Sequence, residues 1–143
     1  MERKEKLQLI KDTAFELIEE ERLTKPNKIT MRNSLSGVRK RYGALTKSRH
    51  RINGKERISI VVNTIEARFY EDPKGRFRDK KGNRFSRYLT GKKIDIKEIV
   101  HTMAHEIAHI KFWNHTPQHH SYTDSLNLRL VEMLEGKGVS ISE

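Results

Sequence analysis

This sequence predicts an α+β fold, and three observations carry that prediction. Apolar residues recur at helical spacing near the start, at Leu7, Ile10, Ala14, Leu17 and Ile18. A β-branched run from Arg57 to Ile65 lies mid-chain, bordered by glycine-containing turn signals. Two helix starts, at Asp95 and at Thr116-Pro117, open apolar stripes in the last third. With 143 residues there is length for one domain over 1–143. It divides into an N-terminal helix (1–24), a basic sheet or hairpin region (38–93) and a pair of helices (95–136).

The first helix is expected to end at Thr24-Lys25-Pro26-Asn27, because proline has no amide hydrogen to continue the ladder. Its stripe reads as a face packed on the core. In the central run, Ile58, Ile60 and Val62 share one side of a strand. Asn53-Gly54 has hairpin-turn chemistry, since both residues tolerate positive φ, and Gly37 to Lys47 reads as the partner strand. Turn signals at Asp72-Pro73-Lys74-Gly75 and Lys81-Gly82-Asn83 make 66–93 an irregular hairpin or extended loop. Asp95 is placed to cap the next helix, with Glu98 reaching back to it. Ile99, Val100, Met103, Ile107 and Ile110 form its stripe. Thr116 before Pro117 opens the last helix. Its inner face is Tyr122, Leu126, Leu130, Val131 and Leu134, and Gly136 and Gly138 end it.

Hydrophobic and charged residues each make up 34 % of the chain, which implies a small core but exceeds the profile of a disordered chain. No run approaches the roughly 18 apolar residues of a membrane span, and the N-terminus lacks the apolar stretch of a secretory signal. There is no cysteine, so any metal must be held by histidine and carboxylate. An intracellular setting fits, cytoplasmic, or nucleoid or nuclear if the chain associates with DNA. The net charge of +11 is uneven. Residues 39–93 carry 18 basic and 5 acidic side chains, whereas 94–143 carry 4 and 7. That separation suggests one electrostatic task and one chemical task.

The chemical task falls on HEIAHIKFWNH, residues 105–115. His105 and His109 are one helical turn apart and can present both imidazoles to one metal ion. Glu106 is placed to hold and deprotonate a water rather than to ligate, the H-E-x-x-H arrangement. A catalytic zinc site takes three protein ligands, and His115 is the natural third. On a continued helix the step from His109 to His115 would rotate the side chain by about 600° and carry it roughly 9 Å along the axis. The helix must therefore stop near Phe112–Asn114, and Asn114 suits the stop because it accepts left-handed geometry. Phe112 and Trp113 read as core anchors beneath the site, and His101 as a surface residue or a support for the ligands. For His119 and His120 three roles stay open: exposed helix residues, rival ligands, or contacts to the substrate or the transition-state oxyanion. The expected chemistry is zinc-dependent peptide hydrolysis, one ion held by the three histidines and Glu106 as base.

The stretch HTMAHEIAHIKFWNHT (101–116) resembles the active-site helix and turn of the SprT-like and YgjP-like metallopeptidases. These are compact zincins in a wider group that includes the WLM proteases. His105, Glu106, His109 and His115 match their pattern position by position, including the five-residue gap before the third histidine. RYGALTK (41–47) followed by RISIVVN (57–63) is similar to the strand pair that precedes their site. The resemblance covers about residues 38–135 and implies a zincin-like fold. It also implies a strand edge that pairs with an extended substrate, here residues 57–65 with Ile58, Ile60 and Val62 as contacts. Some zincins take a glutamate from a later helix, which makes Glu132 a rival to His115, the favoured ligand. YgjP-like members tend to have an aromatic pair where this chain has His119-His120. Metzincins share the histidine spacing but have glycine where Phe112 stands.

The electrostatic task falls on 68–93, where Phe69, Tyr70, Phe77, Phe85 and Tyr88 interleave with basic residues. Arg76, Arg78, Lys80, Lys81, Arg84 and Arg87 are the candidate nucleic-acid contacts. A solvated basic hairpin is the plainer alternative. The resemblance favours DNA, because relatives act on DNA-bound proteins. Two rival functions differ at single features. A YbeY-type zinc endoribonuclease typically carries glycine where this chain has Glu106. A non-enzymatic, zinc-stapled nucleic-acid-binding module requires a fourth protein ligand.

Overall fold

The computed structural model describes residues 1–33, 46–52 and 55–141 and is α+β, with three helices and two small sheets. In chain order these are α1 (Arg3–Glu20), β1 (Lys28–Arg32), β2 (Thr46–Ile52), β3 (Lys55–Asn63), β4 (Ile65–Glu71), β5 (Phe77–Arg78), β6 (Arg84–Lys93), α2 (Ile96–Lys111) and α3 (Pro117–Gly136). The expected Asn53-Gly54 turn, and residues 37–45 of the expected partner strand, lie outside the described residues. Thr46 and Lys47, the end of that expected strand, open β2.

The first sheet has the order β1-β3-β2. β3 pairs antiparallel with β2 and parallel with β1. Helical and strand periodicities converge on one core. Ile10, Ala14, Leu17 and Ile18 of α1 meet Ile29 of β1, Ile58, Ile60 and Val62 of β3, the apolar stripe of α2, and Leu126, Leu130 and Leu134 of α3. β1 gives no sequence signal, because only one of its five side chains is buried. No helix among the described residues is long and apolar enough to cross a membrane.

Residues 66–93, expected as an irregular hairpin or extended loop, do pair antiparallel but as a regular three-stranded sheet of order β4-β6-β5. The predicted strand breaks at Thr64, and Ile65 begins the second sheet. Both turn signals act through aspartate. Asp72 accepts from Lys74 N–H (3.0 Å) and Ser86 Oγ–H (2.6 Å), and these bonds hold its carboxyl below the usual range. Asp79 accepts from the backbone N–H of Lys81 and Asn83, both at 2.9 Å. The buried core cluster takes no residue from β4, β5 or β6. This sheet is an arm whose base is closed by Ile94 N–H donating to Thr64 O (3.0 Å). Arg3 Nη2 donates to Thr64 O and Ile94 O, both at 2.8 Å, and ties α1 to that base.

The helix ends show where local chemistry decided. α3 finishes with Gly138 at φ 85°, Val139 N–H donating to Leu134 O and Gly138 N–H to Glu135 O, both at 3.0 Å. That is a Schellman ending with glycine in the left-handed position. α1 ends the same way, ahead of Pro26, with Leu23 N–H on Ile18 O and Arg22 N–H on Glu19 O, both at 3.0 Å. Its left-handed residue is Arg22 at φ 56°. Asp95 precedes α2 with extended backbone but makes no side-chain cap bond, contrary to the expected capping box. Thr116 caps α3 as expected, its hydroxyl accepting from His119 N–H (3.2 Å).

Two stability measurements follow. Arg22→Gly relieves the left-handed strain and should raise unfolding stability by about 0.5–1 kcal/mol. Ile60→Ala, at a fully buried position in the central strand, should cost about 2–5 kcal/mol. Urea unfolding followed by circular dichroism reads both.

Candidate metal centre

α2 is buried along most of its length, and its last turns carry His105, Glu106 and His109. It stops at Lys111, because Phe112 turns extended (φ −121°, ψ 99°). The stop is therefore one residue after Lys111 and does not use Asn114. Arg22 is the only non-glycine residue at positive φ among the described residues. Past Phe112 the chain reverses, and Thr116 N–H reaches back to Asn114 O (2.9 Å). That tight turn is centred on His115.

The reversal brings three imidazoles together. Nε2 of His105 and His109 are 3.2 Å apart, His109 and His115 3.1 Å, and His115 and His105 3.2 Å. Among the described residues these three form the one group able to hold a metal ion. Their spacing fits such an ion. A tetrahedral zinc with ~2.0–2.1 Å bonds separates its nitrogen ligands by about 3.3–3.4 Å. The proton placement fits as well. Phe112 O can only accept, so His109 Nδ1 donates to it at 3.0 Å. In the neutral ring that leaves Nε2 as a lone pair turned toward the other two histidines.

Glu106 lies beside the group rather than in it. It is 3 % exposed, and its Oε1 is 3.8 Å from His105 Nε2. Its carboxylate is not among the ligand atoms that converge, yet lies close enough to hold a water next to them.

The two residues left open now differ. His119 is 2 % exposed, and its Nε2 donates to His105 O at 3.0 Å. Its ring stacks on His109, centroids 4.0 Å apart and 23° between planes. It packs behind the ligands and braces the backbone of the first one. His120 is exposed, 3.6 Å from Asp124. Glu132 is exposed beside Arg129 at 3.5 Å, so the rival ligand does not join the group. His101 is exposed.

Other expectations need correction. Trp113 is 48 % exposed and lies outside the core cluster. Phe112 is half-buried, edge-on to Tyr122 at 5.9 Å, with the Lys111 ammonium over both rings. Tyr122 O–H donates to Glu21 (2.8 Å), and burial followed by that bond pushes its phenol up. Residues 57–65 are no substrate edge: β3 is the central strand, with β1 and β2 on either side. Ile58, Ile60 and Val62 point into the core, each 1 % exposed or less. The candidate basic contacts belong to the arm. Arg78 faces Arg84 across β5 and β6, Arg76 precedes β5, and Lys80 and Lys81 sit at the β5–β6 turn. Arg87 instead covers Phe77 at 4.6 Å. Sequence reasoning missed Phe112 O, because a backbone carbonyl leaves no residue signature.

With zinc supplied as the probe ion, His115→Ala and His109→Ala should each retain less than about a tenth of the metal that the wild type retains after dialysis, with the far-ultraviolet spectrum unchanged. His120→Ala should leave the zinc content unchanged. Mass spectrometry of the metal content decides both. No family model, no curated protein and no solved structure matches the chain, so its chemistry must be read from these side chains.

Proposed function

We propose that this chain is a zinc-dependent peptidase in which His105, His109 and His115 hold the ion and Glu106 is the general base. The observation that carries the reading is the buried Glu106 carboxylate, 3.8 Å from a histidine whose Nε2 belongs to the converging triad. A zinc ion held there supplies Lewis-acid polarisation of the scissile carbonyl and acidifies water from its bulk pKa toward ~7.

The chain's own groups do the rest. His109 is held in one tautomer by Phe112 O, which keeps Nε2 available as a ligand. Glu106 takes a proton from water as the new carbon–oxygen bond forms. It then delivers that proton to the leaving amine as the carbon–nitrogen bond breaks, so acid and base work balance in one carboxyl group. Burial of Glu106 excludes competing bulk water from the proton's path.

The resemblance of 101–116 to SprT-like and YgjP-like peptidases supports the same reading. The endoribonuclease alternative fits less well, since the buried acid occupies the position where that group typically has glycine. The zinc-staple alternative needs a fourth protein ligand, and the nearby His119 spends its Nε2 on His105 O. An intracellular location fits a chain without cysteine.

Glu106→Gln tests the assignment. The zinc-loaded variant should keep about one equivalent of metal and lose cleavage of a casein-derived peptide mixture by about 10²–10⁴-fold. Cleavage by metal-loaded Glu106→Gln at the wild-type rate would sink the assignment of the base. A zinc-loaded wild-type protein that cuts no peptide would sink the reading itself.

A further inference from the structure

We propose that the outer face of the β4–β6–β5 arm is a binding platform for single-stranded nucleic acid. Register decides which side chains share that face. Arg68 stands opposite Tyr88, Tyr70 opposite Ser86, and Arg78 opposite Arg84. Residues opposite one another in a ladder project to the same side. The tyrosine rings are 6.0 Å apart, and Tyr70 and Tyr88 are 49 % and 44 % exposed. The reverse face packs. Phe69 lies edge-on to Phe77 at 5.3 Å, and the Arg87 guanidinium covers Phe77. The arm thus has a packed phenylalanine face and a wet face of tyrosine and arginine.

Two properties of the wet face select the partner. Arg68 pairs with Glu66 at 2.6 Å, but among the described residues neither Arg78 nor Arg84 has a carboxylate partner. Both are therefore available to phosphates. The exposed rings offer flat surfaces to unpaired bases, which a duplex keeps stacked inside itself. An acidic peptide would use the arginines and leave the rings idle. The adjoining turn carries Lys80 and Lys81 and is already shaped by Asp79, so little ordering is lost on binding.

The molecule contains its own control. A groove of about 610 Å³ between α1 and β1 is lined by Lys4, Lys11 and Lys28 but by no aromatic ring. It attracts anions as the arm does, without stacking. Phosphate contact and stacking do not read the sugar, so DNA and RNA single strands should bind within a few-fold of one another. The inference stands apart from the metal site and from the peptidase reading.

Fluorescence anisotropy with a labelled oligothymidylate of about 15 nucleotides tests it. Tyr70→Ala/Tyr88→Ala should weaken binding at least about tenfold, and Tyr70→Phe/Tyr88→Phe should restore it. Arg78→Gln/Arg84→Gln should reduce the slope of log affinity against log salt by about 1–1.5. Lys4→Gln/Lys11→Gln should change affinity by less than about threefold, because stacking carries the specificity. Wild-type affinity in a folded Tyr70→Ala/Tyr88→Ala protein would overturn the platform. So would a duplex of the same length binding as tightly as the single strand.

Discussion

The hydrogen bond from His109 Nδ1 to Phe112 O is the interaction on which the histidine cluster, the candidate metal centre, depends. A helix delivers His105, Glu106 and His109 correctly, but the same helix would carry His115 away from them. Extended geometry at Phe112 breaks the helix and points its carbonyl back at the imidazole. That bond fixes the tautomer of His109 at the point where the chain leaves α2 and turns back to bring His115 in. The Thr116 cap and Pro117 then start α3 at once, which places His119 behind the ligands. Ligand chemistry and chain reversal are the same event here.

Around that event the protein is built in two parts with different electrostatics. The core joins three helices to one face of a three-stranded sheet and buries Glu106 beside the histidines. The arm leaves and re-enters at Thr64 and Ile94, and Arg3 bonds to both carbonyls. That clamp fixes the base of the arm to α1 without drawing the arm into the core. The basic middle of the sequence therefore forms a sheet of its own that gives no residue to the core cluster.

The sequence was legible where local geometry alone decides. The α1, α2 and α3 stripes, the Thr116-Pro117 start and the triad of His105, His109 and His115 all follow from helical spacing and a rotation argument. It was less legible where partners decide. β3 showed its apolar alternation, but alternation does not tell an edge strand from a central one, and the weakly patterned β1 made it central. The arm's regularity was hidden because glycine, proline and aspartate punctuate it and none of its strands carries a run of β-branched residues. Only cross-strand register separates Tyr70 and Tyr88 from Phe69 and Phe77. Trp113 shows the limit of composition, since a large apolar side chain just past a helix end can stay half-exposed outside the core cluster.

By itself, then, the sequence determined the helices, the three histidines that converge and the location of the positive charge, because each depends on spacing between near neighbours. The tertiary structure alone decided that Phe112 O holds His109, that His119 braces rather than ligates, that β3 is enclosed, and which face of the arm is wet. Each of those depends on a partner distant in sequence or on a backbone atom, and neither leaves a periodic trace in the order of side chains.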